Sequence, residues 1–210
     1  MTSHPAPRPA LFYPIVPDVH WLGRLVPLGI RTVQLRIKDA PDDTVRTQVA
    51  EALAICRANG CELIVNDHWQ AAIDAGASLL HLGQEDLAAA DLPSIRRAGL
   101  HFGVSTHSEE ELETALAVKP YYVALGPIYE TKLKAMQWPP QGLERISQWK
   151  RRIGDLPLVA IGGITPDRAG GVLAAGADSV AVITDFITSP HPEARVSLWL
   201  DWAAKHAPKH

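Results

Sequence analysis

The chain has 210 residues, of which 47% are hydrophobic and 20% are charged, which is enough for one buried core. Its formal net charge of −3 excludes a general attraction to nucleic acid, so any anion site must be built from local residues. Because no apolar run approaches the roughly 20 residues needed to span a membrane, we expect a cytoplasmic protein with no membrane partner.

Short runs typical of β-strands alternate with helical patterns along the chain, after a Pro-rich stretch that predicts a frayed tail at residues 1–10. Strands are predicted at residues 11–17, 32–38, 62–67, 79–84, 101–106, 121–127, 158–163 and 179–185. Several of the intervening helical patterns end at a glycine. Eight strand–helix units indicate a closed (β/α)8 TIM barrel, one domain over residues 11–207, with a doubly wound open sheet as the alternative.

Polar residues gather where the predicted strands end. The active site of a TIM barrel lies at the carboxyl ends of its strands, so these residues are expected to share one mouth. In the second strand the polar positions alternate, which predicts that their side chains all face the barrel interior. The polar residues expected at the mouth, from the second to the fifth strand, are Gln34, Arg36, Lys38, Asn66, Asp67, Asp86 and Ser105.

Asp67 and Asp86 follow neighbouring strands, and two close carboxylates repel each other unless a proton or a cation lies between them. Oxygen ligands suit Mg2+, which takes one or two carboxylates and completes its coordination with phosphate oxygens and water. The alternative is that both residues are helix N-caps.

Nitrogen donors surround this predicted metal site and suit a multiply charged anion. Gln34, Arg36, Lys38 and Asn66 provide them, and Lys134, in a long loop predicted at residues 129–141, could close on the same anion. An ordinary solvated lysine is the competing interpretation of Lys134.

A second anion site is predicted across the barrel, after the seventh and eighth strands. Gly162 and Gly163 end the seventh strand and Thr184 ends the eighth, where barrel loops often bind a phosphate through backbone N–H groups. A tight turn would explain the two glycines equally well. Two anion sites imply two phosphorylated ligands, or one ligand with a phosphate at each end, and favour catalysis by electrostatics and positioning.

The chain resembles the thiamine phosphate synthase (thiamine phosphate pyrophosphorylase) family. The resemblance rests on VQLRIK, IVND, HLGQEDL, GVSTH, LGPIYETKLK with the following PQGL, AIGGIT and VAVIT, which together span residues 33–184. It implies a Mg2+-dependent reaction in which 4-amino-5-hydroxymethyl-2-methylpyrimidine pyrophosphate loses pyrophosphate. The ring nitrogen of 4-methyl-5-(2-phosphonooxyethyl)thiazole then attacks the resulting carbocation to give thiamine phosphate.

The resemblance also implies a role for individual residues. Asp67 and Asp86 would hold Mg2+, and Ser105 would lie near the leaving group. The remaining assignments are to two substrate sites. The pyrimidine pyrophosphate would be bound by Gln34, Arg36, Lys38, Asn66 and Lys134, and the thiazole phosphate by Thr131, Gly163, Ile183 and Thr184. Arg36, Lys38, Ser105 and Lys134 would also act in catalysis.

The sequence departs from the family pattern near both anion sites. Leu133 stands where a threonine is common, and Glu130 replaces a common proline. Asp185 stands where a small residue is usual, and a carboxylate beside a bound phosphate would be unfavourable unless it points away.

Three other functions remain as alternatives: a thiazole tautomerase-like relative, a barrel that binds thiamine phosphates without turnover, and another phosphate-binding barrel enzyme. The first would not use the metal carboxylates, the second has no need of a metal–pyrophosphate site, and the third would leave Asp67 and Asp86 unexplained. The sequence leaves open whether the chain forms a homo-oligomer.

Overall fold

Eight parallel strands form a closed barrel in the computed structural model, which describes residues 8–131 and 138–207. Because β1 pairs with both β2 and β8, the alternative of an open doubly wound sheet is wrong. The strands are β1 (Phe12–Val16), β2 (Thr32–Leu35), β3 (Glu62–Asn66), β4 (Leu79–Leu82), β5 (His101–Thr106), β6 (Tyr122–Leu125), β7 (Leu158–Ile161) and β8 (Ser179–Val182).

Helices connect successive strands and cover the outside of the barrel. They are α1 (Val19–Leu25), followed by a short 3-10 helix (Val26–Leu28), α2 (Asp42–Ala58), α3 (Trp69–Ala75), α4 (Gln84–Ala89), α5 (Leu92–Arg97), α6 (Glu109–Ala117), α7 (Gly142–Ile153), α8 (Pro166–Ala174), α9 (Thr184–Ile187) and α10 (Pro192–His206). Among the residues that the structure describes, no helix combines the length and the apolar character needed to cross a bilayer.

Strand residues alternate between two buried layers, as the period of two in a β-strand requires. The inner cluster fills the barrel, and its members include Ile15 and Ile64. Gln34 pairs in register with both of these residues, so its side chain also faces the interior, as predicted. Leu35 and Ile37 belong instead to the outer cluster, which lies between the strands and the helices.

Most strands end earlier than the sequence pattern predicts. Strand β2 stops at Leu35, so the prediction of a strand through residue 38 is wrong, and Arg36 and Lys38 lie in the loop that follows. The reason is the length of the neighbouring strand: the Arg36 N–H donates to the carbonyl of Val16, the last residue of β1, at 2.8 Å. Beyond that point β1 has no further residue to pair.

Two predicted strand ends are helical. Gln84 begins α4 and Thr184 begins α9, although the sequence pattern assigned both residues to strands. Both residues fit the alternating pattern of the strand before them, but the strands end two residues earlier, at Leu82 and Val182. The backbone N–H groups of Gln84 and Thr184 therefore belong to the first turn of a helix, where an N–H has no partner within the helix.

The first described residues contact the opposite, amino-terminal end of the barrel. The Ala10 N–H donates to the Thr32 hydroxyl at 3.1 Å, and the Ser179 hydroxyl donates to the Ala10 carbonyl at 2.5 Å. Arg8 lies 3.4 Å from the Asp178 carboxylate. Residues 8–10 of the predicted frayed tail, which was assigned to residues 1–10, therefore contact the barrel, and its residues 1–7 lie outside the described range.

Candidate active site

Asp67 lies at the mouth of the barrel, directly after β3, with a left-handed backbone (φ 63°) that turns its carboxylate over the strand ends. One carboxylate oxygen accepts hydrogen bonds from the Lys38 ammonium at 2.8 Å and from the Asn66 amide at 2.5 Å. The other accepts from the Gly83 N–H at 3.2 Å. Three residues, of which Lys38 and Asn66 were predicted site residues, thus converge on one carboxylate.

Asp86 approaches the same place from the first turn of α4. A Cβ atom at Gly83 would lie 3.2 Å from the Asp86 carboxylate and 3.9 Å from that of Asp67, so the two carboxylates flank one small residue. The prediction that they are helix N-caps is wrong for Asp86, because the N-cap of α4 is Gly83. For α3 the N-cap is His68, so Asp67 is not one either.

The two carboxylates have opposite electrostatic environments. Burial would raise the pKa of Asp67, but the hydrogen bond and charge of Lys38, with the Gly83 N–H, outweigh burial and hold that pKa below its usual range. The pKa of Asp86 is raised, first by burial and then by the charge of Asp67. Asp67 is therefore kept ionised, and its negative charge opposes the ionisation of Asp86. A cation bound between the two carboxylates would remove this repulsion.

The donor set suits a hard cation that also binds a phosphorylated ligand. Two carboxylates meet here, and across residues 8–131 and 138–207 no group of three or more His, Cys, Asp or Glu side chains could hold a metal. A closed structural metal site would need more protein ligands, whereas Mg2+ takes one or two carboxylates and draws the rest from phosphate and water.

Below this pair, a histidine that the sequence analysis did not single out connects three strands. His81 on β4 is 6% exposed; its Nδ1 lies 2.7 Å from the Tyr122 hydroxyl, and its Nε2 lies 2.8 Å from the Ser105 hydroxyl. Burial lowers the pKa of His81 to about 4, so the ring is neutral near pH 7. A neutral imidazole donates from one nitrogen and accepts at the other.

The sequence does contain a signal for His81. His81 lies two residues after Leu79, which faces the barrel interior. The period of two in a strand therefore places the His81 ring among the inner residues as well. Gly103 makes room for the network, because a Cβ there would lie 2.1 Å from the Tyr122 ring. Burial raises the pKa of the Tyr122 hydroxyl well above its usual value, so this hydroxyl stays protonated and can donate.

Ser105 is held at both its side chain and its backbone. The Gln84 amide donates to the Ser105 carbonyl at 2.6 Å, while His81 fixes the hydroxyl. Arg36 lies half-buried at the same mouth, close enough that its charge contributes to lowering the pKa of His81. The structure thus brings Gln34, Arg36, Lys38, Asn66 and Ser105 to one side of the barrel.

On the far side, the loops after β6 and β7 pack directly on each other. The N–H groups of Ile128 and Tyr129 donate to the carbonyls of Ile161 and Gly162 at 2.9 and 3.0 Å. Gly163 has a left-handed backbone (φ 64°), and a Cβ there would lie 2.5 Å from the Glu130 carbonyl oxygen. Only glycine permits this approach.

Thr131 lies beside this contact. It lines a cavity of about 580 Å3 together with Tyr129, Glu130 and Arg168. The Arg168 guanidinium stacks over the Tyr129 ring at 4.8 Å and donates to the Gly163 carbonyl at 2.9 Å. Thr131 lines this cavity, and Gly163, which the family resemblance assigned to the same phosphate, is linked to it through Arg168.

The strand β8 side of this region contains Ile183 and Thr184. Ile183 packs on the inner cluster and Thr184 begins α9. The Asp185 carboxylate, which could have repelled a phosphate, accepts hydrogen bonds from Arg195 and Trp199 on α10 instead. Lys134 and Leu133 lie outside the described residues.

Comparison with known proteins identifies the family. The model of the family described as thiamine monophosphate synthase matches residues 13–186. The chain belongs to this family. A thiamine-phosphate synthase of Rhizobium etli is 59% identical over 189 residues, which cover 90% of this chain and 93% of the relative. One from Cronobacter sakazakii is 47% identical over 186 residues, 89% of each chain.

The fold agrees with this assignment. The solved structure of thiamine phosphate pyrophosphorylase from Pyrococcus furiosus superposes with a TM-score of 0.82 at 23% sequence identity, covering 95% of this chain and 98% of that one. At this identity the likeness concerns the barrel alone. Family membership makes the chain an enzyme of the transferase class that acts on small molecules.

Proposed function

We propose that this enzyme joins 4-amino-5-hydroxymethyl-2-methylpyrimidine pyrophosphate to 4-methyl-5-(2-phosphonooxyethyl)thiazole, giving thiamine phosphate and pyrophosphate. The observation that carries the proposal is the Asp67–Asp86 pair beside Lys38, at one edge of the barrel mouth. It lies across the barrel from the glycine-rich loop after β7, so one substrate can bind at each edge.

The pyrophosphate is bound on the β2–β5 side. Gln34, Arg36, Lys38, Asn66 and Lys134 supply its donors, and Asp67 and Asp86 hold Mg2+. Bound there, Mg2+ offsets the negative charge that develops on the departing pyrophosphate. Lys38 donates to Asp67 at 2.8 Å, so its ammonium lies next to the proposed pyrophosphate position.

The thiazole phosphate is bound on the β6–β8 side. The Thr131 hydroxyl and backbone groups of Gly163, Ile183 and Thr184 are its partners. The close packing of Gly163 against the Glu130 carbonyl supports this assignment, because it fixes the two loops that carry Thr131 and Gly163 relative to each other. The cavity beside Thr131 supplies the space.

No protein nucleophile and no general base are needed. The bond between the pyrimidine methylene carbon and the pyrophosphate oxygen breaks, and the pyrophosphate leaves with the electron pair. The thiazole nitrogen then donates its lone pair to the methylene carbon and becomes positively charged, so no proton is transferred. The residues contribute by holding the two reacting atoms in line and by stabilising the leaving group.

Ser105 and His81 complete the pyrophosphate side. The Ser105 hydroxyl donates to the leaving group, and His81 holds this hydroxyl in position. Since His81 is neutral and buried, it orients Ser105 without delivering a proton. Arg36 and Lys38 provide the positive charge.

The direct test is pyrophosphate release with both substrates and Mg2+, measured against reactions that omit one component. Release should require the thiazole phosphate and Mg2+, and thiamine phosphate should form in equal amount. Binding of both substrates with no product would favour the non-catalytic barrel, and proton exchange on the thiazole alone would favour the tautomerase-like function.

The variant Asp86→Asn tests the metal assignment. Loss of a carboxylate ligand should lower the apparent affinity for Mg2+ by about 100-fold or more, since partners outside the ligand shell already contribute about 10- to 100-fold. The measurement is turnover as a function of Mg2+ concentration. Glu85→Gln is the matched control, because Glu85 is adjacent, exposed and equally charged. Equal Mg2+ dependence in both variants would contradict the assignment.

A further inference from the structure

Asp185 follows directly after Thr184, one of the proposed partners of the thiazole phosphate. The carboxylate is only 11% exposed and is turned toward the carboxyl-terminal helix. Both of its oxygens accept hydrogen bonds from Arg195 on α10, each at 2.8 Å, in a fork geometry. The Trp199 ring nitrogen donates to the same carboxylate at 2.8 Å.

A second carboxylate acts on Arg195 through its charge alone. Asp167, in the first turn of α8, adds to the hydrogen bond and charge of Asp185 in raising the pKa of the Arg195 guanidinium. Asp167 follows the loop after β7, and Asp185 follows strand β8. Arg195 therefore pairs with the acidic residue that follows β8, and the acidic residue that follows the β7 loop adds a weaker electrostatic effect.

Helix α10 is well placed to hold this guanidinium. The Trp199 ring stacks on Phe12 of β1 with ring centroids 5.0 Å apart, and it is fully buried. Trp199 lies four residues after Arg195, on the same face of the helix. The position of the charge is thereby fixed by the barrel itself.

We propose that Arg195 is a positioning residue for the thiazole substrate, because it neutralises Asp185 and so allows a phosphate dianion to bind at the neighbouring Thr184. The proposal rests on the assignment of the thiazole phosphate to the loops after β7 and β8. Arg195 acts through Asp185 and does not itself contact the substrate. A family member with a small residue in place of Asp185 would have no need of it.

Two substitutions break the same ion pair and leave opposite charges. Arg195→Gln leaves Asp185 uncompensated and should raise the KM for the thiazole phosphate about fivefold. Asp185→Asn leaves the Arg195 charge unpaired near the phosphate and should lower that KM about twofold. Both substitutions are expected to lower the free energy of unfolding. If the ion pair only supported the fold, both would therefore change the KM in the same direction.

The same helix offers a matched control. Glu193 on α10 forms an exposed ion pair with Arg24 on α1. Arg24→Gln and Glu193→Gln make the same two charge changes at a different ion pair, and both KM values should remain unchanged.

The experiment measures the KM for each substrate with the other saturating, and thermal unfolding of every full-length variant. The expected result is a KM for the thiazole phosphate that moves in opposite directions, with the KM for the pyrimidine pyrophosphate unchanged. If Arg195→Gln does not fold, a KM in Asp185→Asn that is not lowered overturns the inference.

Other outcomes separate the inference from the function on which it rests. Turnover by the unaltered protein with an unchanged KM in folded Arg195→Gln overturns the role of Arg195 alone. Equal shifts for both substrates overturn it as well. Absence of turnover in the unaltered protein overturns the proposed function and the inference together.

Discussion

His81 illustrates how a single side chain acquires its properties from residues far along the chain. Its partners are Tyr122 on β6 and Ser105 on β5, which lie 41 and 24 residues away. Burial inside the barrel, and not any adjacent residue in the sequence, lowers its pKa to about 4. The polar position could be recognised in β4, but its neutrality required the assembled barrel.

The depressed pKa of His81 predicts a loss of stability in mild acid. The unfolded chain binds this proton near pH 6.5 and the folded protein only near pH 4, so stability from His81 is complete above pH 6.5 and is lost as the pH falls toward 4. The loss amounts to about 3 kcal/mol in the free energy of unfolding.

The measurement is urea unfolding at several pH values for the original protein and for His81→Gln. The difference between the two free energies of unfolding should fall as the pH is lowered from 7 to 4.5, because only the original protein loses the His81 contribution. Parallel curves over this range would contradict a depressed pKa for His81.

The loop after β7 shows which features of a short element can be predicted from its sequence and which cannot. Its two glycines and its place after a strand predict a phosphate-binding turn, and the structure finds both in left-handed conformations. The contact that constrains Gly163 is with the Glu130 carbonyl of a different loop. Sequence pattern indicates the turn, but not the neighbour that excludes a larger side chain.

Gly163→Ala should disturb the thiazole side selectively. The new Cβ would lie 2.5 Å from the Glu130 carbonyl oxygen, which must shift and displace Thr131. We expect the KM for the thiazole phosphate to rise about tenfold with little change in the KM for the pyrimidine pyrophosphate. The accompanying loss of stability should be about 1 to 3 kcal/mol.

Gly60→Ala is the control for this variant. Gly60 has nearly the same backbone angle (φ 63°), but a Cβ there meets nothing within 4 Å. It should reproduce the conformational cost while leaving both KM values unchanged. Equal kinetic effects of the two substitutions would show that the contact with Glu130 is irrelevant.

Closure of the whole barrel is what separates the two proposed anion sites. The pairing of β1 with β8 brings the strand ends into a ring, so Asp67 after β3 and Gly163 after β7 lie on opposite sides of one mouth. The two sites should therefore bind anions independently of each other, and only one of them should depend on a divalent metal.

Ligand-dependent stabilisation tests this separation. A ligand at about 100 times its Kd stabilises the folded protein by about 2.7 kcal/mol, or roughly 5 to 10 °C in Tm for a chain of this size. Pyrophosphate should raise the Tm by this amount only with Mg2+, and removal of Mg2+ with EDTA should abolish the shift.

Asp67→Asn provides the matched variant for the thermal experiment. It should remove the Mg2+-dependent shift with pyrophosphate and retain the shift that the thiazole phosphate produces without metal. A pyrophosphate shift that persists in EDTA would contradict a metal site at Asp67 and Asp86.

Much of the architecture is readable in the chain before it folds. Strand and helix periods arise from which side of each element meets the core, so the barrel and the inward face of Gln34 follow from local patterns. The boundaries were less accurate: β2 ends at Leu35 because β1 has no residue left to pair with. The motifs likewise predicted the family, which the comparisons confirm, and the site residues, which stay predictions.

Electrostatics and close packing required the tertiary structure. The approach of Asp86 to Asp67 around Gly83, the neutrality of His81 and the turning of Asp185 toward Arg195 all depend on distances between separate elements. Charge interactions and burial are set by position in space, while hydrophobic periodicity is set by position along the chain. The first kind of information therefore appears only when the barrel closes.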